Sequence, residues 1–152
     1  MNKPGKRREG RQAAMQYLFA HDLHGIVSDA DRAAFWSMHM AKDQVRAYAE
    51  ELVTGILANQ SEVDGLIMSV LENFSFERLG VVDRNILRLG VYELLHTEVP
   101  RPVIINEAIE IARDFGDTKT RSFVNGILDR LAKSMPPRPA PASAPVVENP
   151  AS

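Results

Sequence analysis

The residues best suited to bind a ligand lie near the start of the chain, where cations are followed by amides and an aromatic ring. They are Lys6, Arg7, Arg8, Arg11, Gln12, Gln16 and Phe19. Cationic side chains bind phosphates, while amides hydrogen-bond to unpaired bases and aromatic rings stack on them. This combination predicts binding of single-stranded RNA. A basic helix start that is merely solvated remains the alternative.

Few residues are suited to catalysis or metal binding. The chain has no cysteine, which excludes disulfides, thiolate nucleophiles and Cys-ligated zinc. His21 and His24 share a helix face, but catalytic zinc normally needs three protein ligands and no third one is evident. Glycine-rich phosphate loops and the HExxH pattern are also missing from the sequence. We therefore expect no enzyme activity, no cofactor and no metal.

Charge is distributed unevenly along the chain. Residues 1–11 contain five basic residues against Glu9 alone, a net charge of +4, and the total of −2 leaves −6 for the rest. This asymmetry favours an anionic ligand for the basic start and a basic partner for the acidic body. The sequence has no apolar run of the roughly 18 residues needed to span a membrane, and no signal-peptide pattern. We expect a cytoplasmic protein without membrane association.

Apolar residues recur with helical spacing through most of the chain. Stripes of this kind cover residues 14–21, 45–56, 63–74, 81–95, 104–115 and 123–131, and a weaker helix is expected over 31–40. Because no segment alternates with a period of two, no sheet is expected. The segment 81–95 is apolar on most sides, which predicts a central helix, and Gly90 within it predicts close approach of a neighbouring helix.

Local signals predict several helix ends and one ion pair. Ser61 stands three residues before Asp64, which resembles a capping box at a helix start. Pro102 suits the first turn of the following helix, and Gly116 suits its C-terminal cap. Glu93, an acid within the apolar 81–95 helix, is expected to pair with an arginine such as Arg88 or to cap a neighbouring segment of the chain.

The composition divides the chain into three parts. Residues 1–6 are expected to form a flexible basic arm, and residues 7–135 an all-helical RNA-binding domain. Residues 136–152 contain six prolines and mostly small residues besides, which predicts a disordered Pro/Ala-rich tail that buries too little apolar surface to fold.

Three blocks of the sequence resemble the bacterial NusB family of transcription antitermination factors. They are VDRNILRLGVYELL (82–95), VIINEAIEIA (103–112) and FVNGILD (123–129), and they follow the order and spacing of that family. The arginine-rich start followed by AAMQ (13–16) also fits, so the resemblance spans residues 7–133.

This resemblance implies one compact all-α domain made of two packed three-helix subdomains. It also implies binding of the boxA element of ribosomal RNA leader transcripts, together with the ribosomal protein NusE. Within the RNA polymerase antitermination complex, these factors promote read-through and ribosomal RNA synthesis. NusB-like domains also occur fused to RNA methyltransferases, but 152 residues leave no room for a cofactor-binding domain. A helical protein–protein scaffold without RNA binding is the alternative function.

The resemblance also assigns residues to the two interfaces. RNA contacts map onto the basic start, from Lys6 to Phe19, and onto the beginning of the last helix at Lys119, Arg121 and Phe123. Phe123 also lies on an apolar stripe, so a core role remains open for it. The partner surface maps onto the acidic body at Glu77 and Asp83. Residues matching the family blocks that we interpret as structural are Asn106, Glu107, Asn125 and Gly126.

Overall fold

The computed structural model describes residues 5–72 and 75–137, and all regular elements in these ranges are helical. The elements are α1 (Lys6–His24), α2 (Asp29–His39), α3 (Asp43–Ala58), α4 (Gln60–Val70), a short 3₁₀ helix (Phe76–Arg78), α5 (Val81–His96), α6 (Arg101–Phe115) and α7 (Thr118–Ser134). The all-α fold is thereby confirmed. None of these helices is long and apolar enough to cross a membrane.

Parts of the domain prediction concern residues that the structure does not describe. Residues 1–4 of the expected arm and residues 138–152 of the expected tail lie outside the described ranges. The sixth residue of the predicted arm, Lys6, is the first residue of α1, so the helix begins one residue earlier than the predicted domain boundary.

The helices form two groups that share the central helix α5. In the first group, α1 packs along α3, and α2 covers their end through Trp36, which is buried beside the Tyr17 ring of α1. In the second, α5, α6 and α7 pack against one another. A fourth helix, α4, joins this group by packing on α5 and α7. Since α5 also contacts α1 and α3, the expected central position of the 81–95 helix is confirmed.

Two of the predicted helix-end signals are correct and one is wrong. Pro102 lies in the first turn of α6, and the Gly116 amide donates to the Ala112 carbonyl at its end. The Ser61 prediction is wrong, because a single residue, Asn59, separates α3 from α4 and places Ser61 inside the helix. A capping box is present instead at Ser28, whose side chain accepts from the Asp31 amide at the start of α2.

Glycines allow close helix contacts at some of the expected places. A Cβ atom at Gly90 would lie 2.8 Å from the Leu128 side chain, so α5 and α7 approach closely there, as predicted. A Cβ at Gly10 of α1 would likewise lie 2.5 Å from the Tyr48 ring of α3. The structural role expected of Gly126 is wrong, because a Cβ there would meet no atom within 4 Å.

Two groups of buried polar side chains join α1 to α5. Arg11, with a side chain only 4% exposed, donates two hydrogen bonds of 2.8 Å to the carboxylate of Glu93. Glu93 is therefore paired with an arginine, as predicted, but with Arg11 of α1 and not with Arg88. Arg88 instead donates to Asp64 of α4 at 2.8 and 3.0 Å and to Asp22 of α1 at 3.1 and 3.2 Å.

Asp22 receives further hydrogen bonds from the first turns of α5. The Arg84 guanidinium donates to it at 3.0 and 3.2 Å, and the side-chain amide of Asn85 donates to it at 3.0 Å. Burial opposes ionisation of Asp22, but the hydrogen bonds from Asn85 and Arg84 and the charge of Arg88 outweigh it, so its pKa is lowered. Asp22 therefore carries a negative charge that holds the end of α1 on α5, and together with Asp64 it balances the two charges of Arg84 and Arg88.

Breaking the buried pair on one side is expected to destabilise the protein strongly. Glu93→Leu leaves the Arg11 charge buried without its partner, which costs about 3–5 kcal/mol, whereas Arg11→Met/Glu93→Leu restores most of this loss. Urea unfolding followed by circular dichroism measures both. As a control, Glu110→Ala breaks the more exposed pair with Arg113 and costs about 1 kcal/mol or less. A Glu93→Leu cost no larger than that of the control would contradict the importance of the pair.

The contribution of Asp22 to stability is expected to depend on pH. Because its pKa is lowered in the folded state, its contribution is complete above its unfolded-state pKa, about 3.9, and is lost as the pH falls through the folded-state pKa. Asp22→Asn should therefore destabilise the protein at pH 7, with a difference from the wild type that shrinks below about pH 4. Urea midpoints across this range measure the difference. Asp29→Asn, at a fully exposed carboxylate, is the control, and a difference independent of pH for Asp22→Asn would refute the expectation.

Candidate nucleic-acid interface

A cleft of about 380 Å³ opens between the middle of α1, the start of α5 and the end of α6. It is lined by Met15, Gln16, Phe19, Val82 and Phe115, and we call it the Phe19 cleft. The two phenylalanines are partly buried rather than enclosed in the core. An apolar cleft of this kind, bordered by one amide, suits a nucleobase that stacks on an aromatic ring and hydrogen-bonds at its edge.

The turn between α6 and α7 is tied to the start of α5, which forms one wall of this cleft. Asp117 caps α7 by accepting from the Thr120 amide at 2.9 Å. The Thr120 hydroxyl donates to Asp83 of α5 at 3.0 Å and lies 3.1 Å from Asp117. The turn that carries the exposed Lys119 and leads to the half-buried Arg121 follows Phe115, the α6 residue of the cleft, by a few positions. Of the two predicted segments, α1 lines the cleft itself, whereas the start of α7 is tied through Thr120 to the helix that carries Val82.

The capping carboxylate stays ionised in this arrangement. The hydrogen bond from the Thr120 backbone amide lowers the pKa of Asp117. Arg121 donates to the Thr118 hydroxyl at 3.3 Å, so its guanidinium lies along the first turn of α7. Phe123 is half-buried and packs against the hydrophobic core, which favours its core role over base stacking.

The four cations at the start of α1 differ in what they contact. Lys6 and Arg7 are exposed; Lys6 hydrogen-bonds to Gln44, and the Arg7 guanidinium lies over the Tyr48 ring at 5.7 Å. Arg8 instead donates two hydrogen bonds, of 2.9 and 2.8 Å, to Glu107 of α6. The hydrogen bond raises the pKa of Arg8 and lowers that of Glu107, so both remain charged. The structural role expected of Glu107 is confirmed.

The structure gives Arg11 a different role from the RNA contact that was expected. Burial by itself would lower its pKa, but the hydrogen bonds and charge of Glu93 outweigh burial and raise it. The Nε and Nη2 groups of its guanidinium both donate to Glu93 in the interior of the protein. Because a phosphate could reach Arg11 only by displacing this carboxylate from a buried site, we assign Arg11 to the fold and not to the interface.

The remaining predicted residues differ in accessibility. Gln12 donates to Asp114 of α6 at 3.2 Å, and Gln16 lines the Phe19 cleft. Of the two residues expected at the protein partner, Glu77 is exposed on the 3₁₀ helix. Asp83 is half-buried, and one of its oxygens accepts from Thr120, so it has a structural role in addition to any partner contact.

The walls of the cleft include residues that the sequence did not indicate as functional. Phe115 and Val82 lie on apolar stripes typical of core positions, and only the ends of α5 and α6 bring them to the surface. His21, considered as a metal ligand, accepts a hydrogen bond from the Ile26 amide at 3.0 Å. Among the described residues, no group of three or more His, Cys, Asp or Glu side chains is arranged to hold a metal ion.

Comparison with known proteins gives the same family from sequence and from structure. The NusB family model matches residues 8–133. The chain is 42% identical to the transcription antitermination protein NusB of Sorangium cellulosum, over 86% of this chain and 94% of that protein. It is also 42% identical to the corresponding protein of Syntrophotalea carbinolica, over 88% and 96%.

Solved structures agree with these sequence relationships. T. maritima NusB superposes with a TM-score of 0.76 at 39% identity, covering 90% of this chain and 96% of that one. A crystal structure of the antitermination factors NusB and NusE in complex with double-stranded RNA matches with a TM-score of 0.76 at 29% identity, covering 86% and 98%. The chain therefore belongs to the NusB family of transcription antitermination proteins.

Proposed function

We propose that this protein is an RNA-binding antitermination factor that recognises the boxA element of ribosomal RNA leader transcripts together with ribosomal protein NusE. In this role it acts in the cytoplasm as part of the RNA polymerase antitermination complex and promotes read-through and ribosomal RNA synthesis. The observation that carries the proposal is the Phe19 cleft, where Gln16 and Phe19 of α1 lie beside Phe115 at the end of α6. The relative crystallised with NusE and RNA supports the same function.

RNA binding in this proposal divides between phosphate and base contacts. Lys6 and Arg7 at the start of α1, and Lys119 at the start of α7, are exposed cations that bind phosphates. Gln16 and Phe19 contact a base within the Phe19 cleft. Arg8 contributes indirectly, because its bonds to Glu107 hold α6, and thus Phe115, against α1.

The proposed protein contact relies on opposite charges. Glu77 is exposed on the 3₁₀ helix just before α5, whose first turn carries Asp83 and borders the Phe19 cleft. A basic ribosomal protein bound at this place would lie beside the RNA, so each ligand would favour binding of the other. A helical scaffold that binds protein alone remains the competing function, and the RNA measurement below separates the two.

Removing single exposed cations is expected to change how RNA binding depends on salt. Arg7→Gln and Lys119→Gln should each weaken binding of a boxA RNA and make the slope of log affinity against log salt shallower by about 0.7. Phe19→Ala should instead cost about 1–3 kcal/mol of binding with an unchanged slope. Fluorescence anisotropy over a salt series measures both quantities.

Arg130→Gln is the matched control, because Arg130 is an exposed cation near the other end of α7 that pairs with Glu72. It should leave the slope unchanged. Thermal melts establish that Phe19→Ala is folded. If Arg7→Gln and Lys119→Gln both retain wild-type affinity and slope, the proposed phosphate contacts are wrong. If the wild-type protein does not bind the RNA, the scaffold function replaces the one proposed.

Reversing the charge of Glu77 is expected to weaken binding of NusE. Glu77→Lys should lower the affinity severalfold with no loss of stability, since the side chain is exposed. Asp83→Lys should lower both affinity and stability, because it also breaks the bond to Thr120. Isothermal titration calorimetry measures affinity, with Glu50→Lys on α3 as the control. An unchanged affinity for Glu77→Lys would remove this residue from the interface.

A further inference from the structure

On the other flank of α1 lies a second and larger pocket, of about 580 Å³. It is formed by the first turns of α1, the middle of α3, the end of α5 and the start of α6. Its walls include Arg7, Tyr48, Tyr92, His96, Glu98 and Val103, and we call it the Tyr48 pocket. The RNA contacts proposed above use Arg7 but leave the rest of this pocket unexplained.

The mouth of the Tyr48 pocket carries an available positive charge. Arg7 is exposed, and among the residues that the structure describes no carboxylate forms an ion pair with it. Its guanidinium lies 5.7 Å from the centre of the Tyr48 ring, which holds it beside the pocket. Arg11 lies 6.0 Å from the same ring, but its charge is neutralised by Glu93. Arg7 is therefore the cation that can bind a phosphate here.

The interior of the pocket offers aromatic surfaces to a planar ligand. Tyr48 is half-buried, and the rings of Tyr92 and His96 lie 5.3 Å apart with 32° between their planes. A base that stacks on such rings is held with little dependence on which base it is. Val103, which is 44% exposed, adds an apolar wall on the side of α6.

Two acidic side chains restrict how a nucleotide can enter. Glu51 and Glu98 both line the pocket and are exposed, so they repel a phosphate from its interior. The same carboxylates accept hydrogen bonds from ribose hydroxyls or base amino groups. This arrangement favours a nucleotide whose phosphate stays at Arg7 while its base and sugar lie inside.

We propose that the Tyr48 pocket binds one nucleotide of the same single-stranded RNA, next to the segment held in the Phe19 cleft. This inference rests on the proposed function. The two sites belong to one helix, since Arg7 precedes Phe19 by twelve residues, or about 18 Å of helix. A few nucleotides of extended strand cross this distance and pass over the first turn of α1, where Lys6 and Arg7 are exposed.

The test compares RNAs that contain boxA and are extended one nucleotide at a time at either end. At each length, a base-bearing nucleotide is compared with an abasic one, because both carry the same phosphates. When the extension at one end reaches the pocket, the RNA with a base at that position should bind roughly fivefold to a hundredfold tighter than the RNA that is abasic there. Fluorescence anisotropy with the full-length protein measures both affinities and gives their ratio.

A substitution on the pocket wall provides the matched comparison. Val103→Glu replaces the apolar wall by a longer, hydrated side chain that takes up the space of the base, and it should reduce the ratio of the two affinities to about one. Val103→Thr, of similar size and uncharged, should keep the ratio. Val103 lies in the first turn of α6, where an acidic residue is compatible with the helix. Both variants should bind the unextended RNA as the wild type does.

Cross-linking locates the extended nucleotide directly. A 4-thiouridine at the responsive position should cross-link to the tryptic peptide 89–113, which contains Tyr92 and His96, or to 47–78, which contains Tyr48. Cross-links only to peptide 12–32, which contains Phe19, would overturn the assignment. So would a ratio near one at both ends, or a ratio that survives Val103→Glu. If the unextended RNA does not bind at all, the proposed function fails, and this inference fails with it.

Discussion

The buried pair of Arg11 and Glu93 sets the rotation of α1 about its own axis, and both ligand-facing sides of the helix depend on it. Two parallel hydrogen bonds of 2.8 Å fix the guanidinium in one orientation against α5. Successive residues of an α-helix turn by about 100°. With Arg11 directed inward, Arg8 necessarily faces α6 and Arg7 faces α3, so the Phe19 cleft and the Tyr48 pocket lie on opposite flanks.

The same constraint divides similar cations between structural and binding roles. A charge removed from water is costly unless a partner neutralises it, and α5 and α6 supply such partners to Arg11 and Arg8. The Arg7 guanidinium lies over the Tyr48 ring instead, and it keeps its contact with solvent. The cations of α1 that remain available to a ligand are therefore those, such as Arg7, that no carboxylate of the fold neutralises.

The start of α5 is held on two sides by polar contacts. Asp22 of α1 accepts from its first turns on one side, and Thr120 of α7 donates to Asp83 on the other. Val82 lies between these contacts, so its place in the wall of the Phe19 cleft is fixed by neighbours from both ends of the chain. Charged networks therefore position a cleft whose own lining is mainly apolar.

Much of the fold followed from local patterns in the sequence. Helical periodicity predicted the seven α-helices found within residues 5–72 and 75–137 and the central one among them, and Pro102 and Gly90 predicted a helix start and a close contact that the structure contains. The three family blocks indicated the NusB family, and the residues of the basic start indicated an RNA ligand. These features depend on neighbours within a few positions, which the sequence displays directly.

Tertiary structure alone decided which polar residues meet. Arg88 stands five positions before Glu93 on one helix, about 500° of rotation away, so the two face different sides, and Glu93 pairs with Arg11, 82 positions earlier. Likewise Phe115 and Val82 have the spacing of core residues, and only the ending of α6 and the beginning of α5 beside α1 expose them in a cleft. Periodicity determines which face of a helix is buried, but a specific partner depends on the rotation and crossing of separate helices.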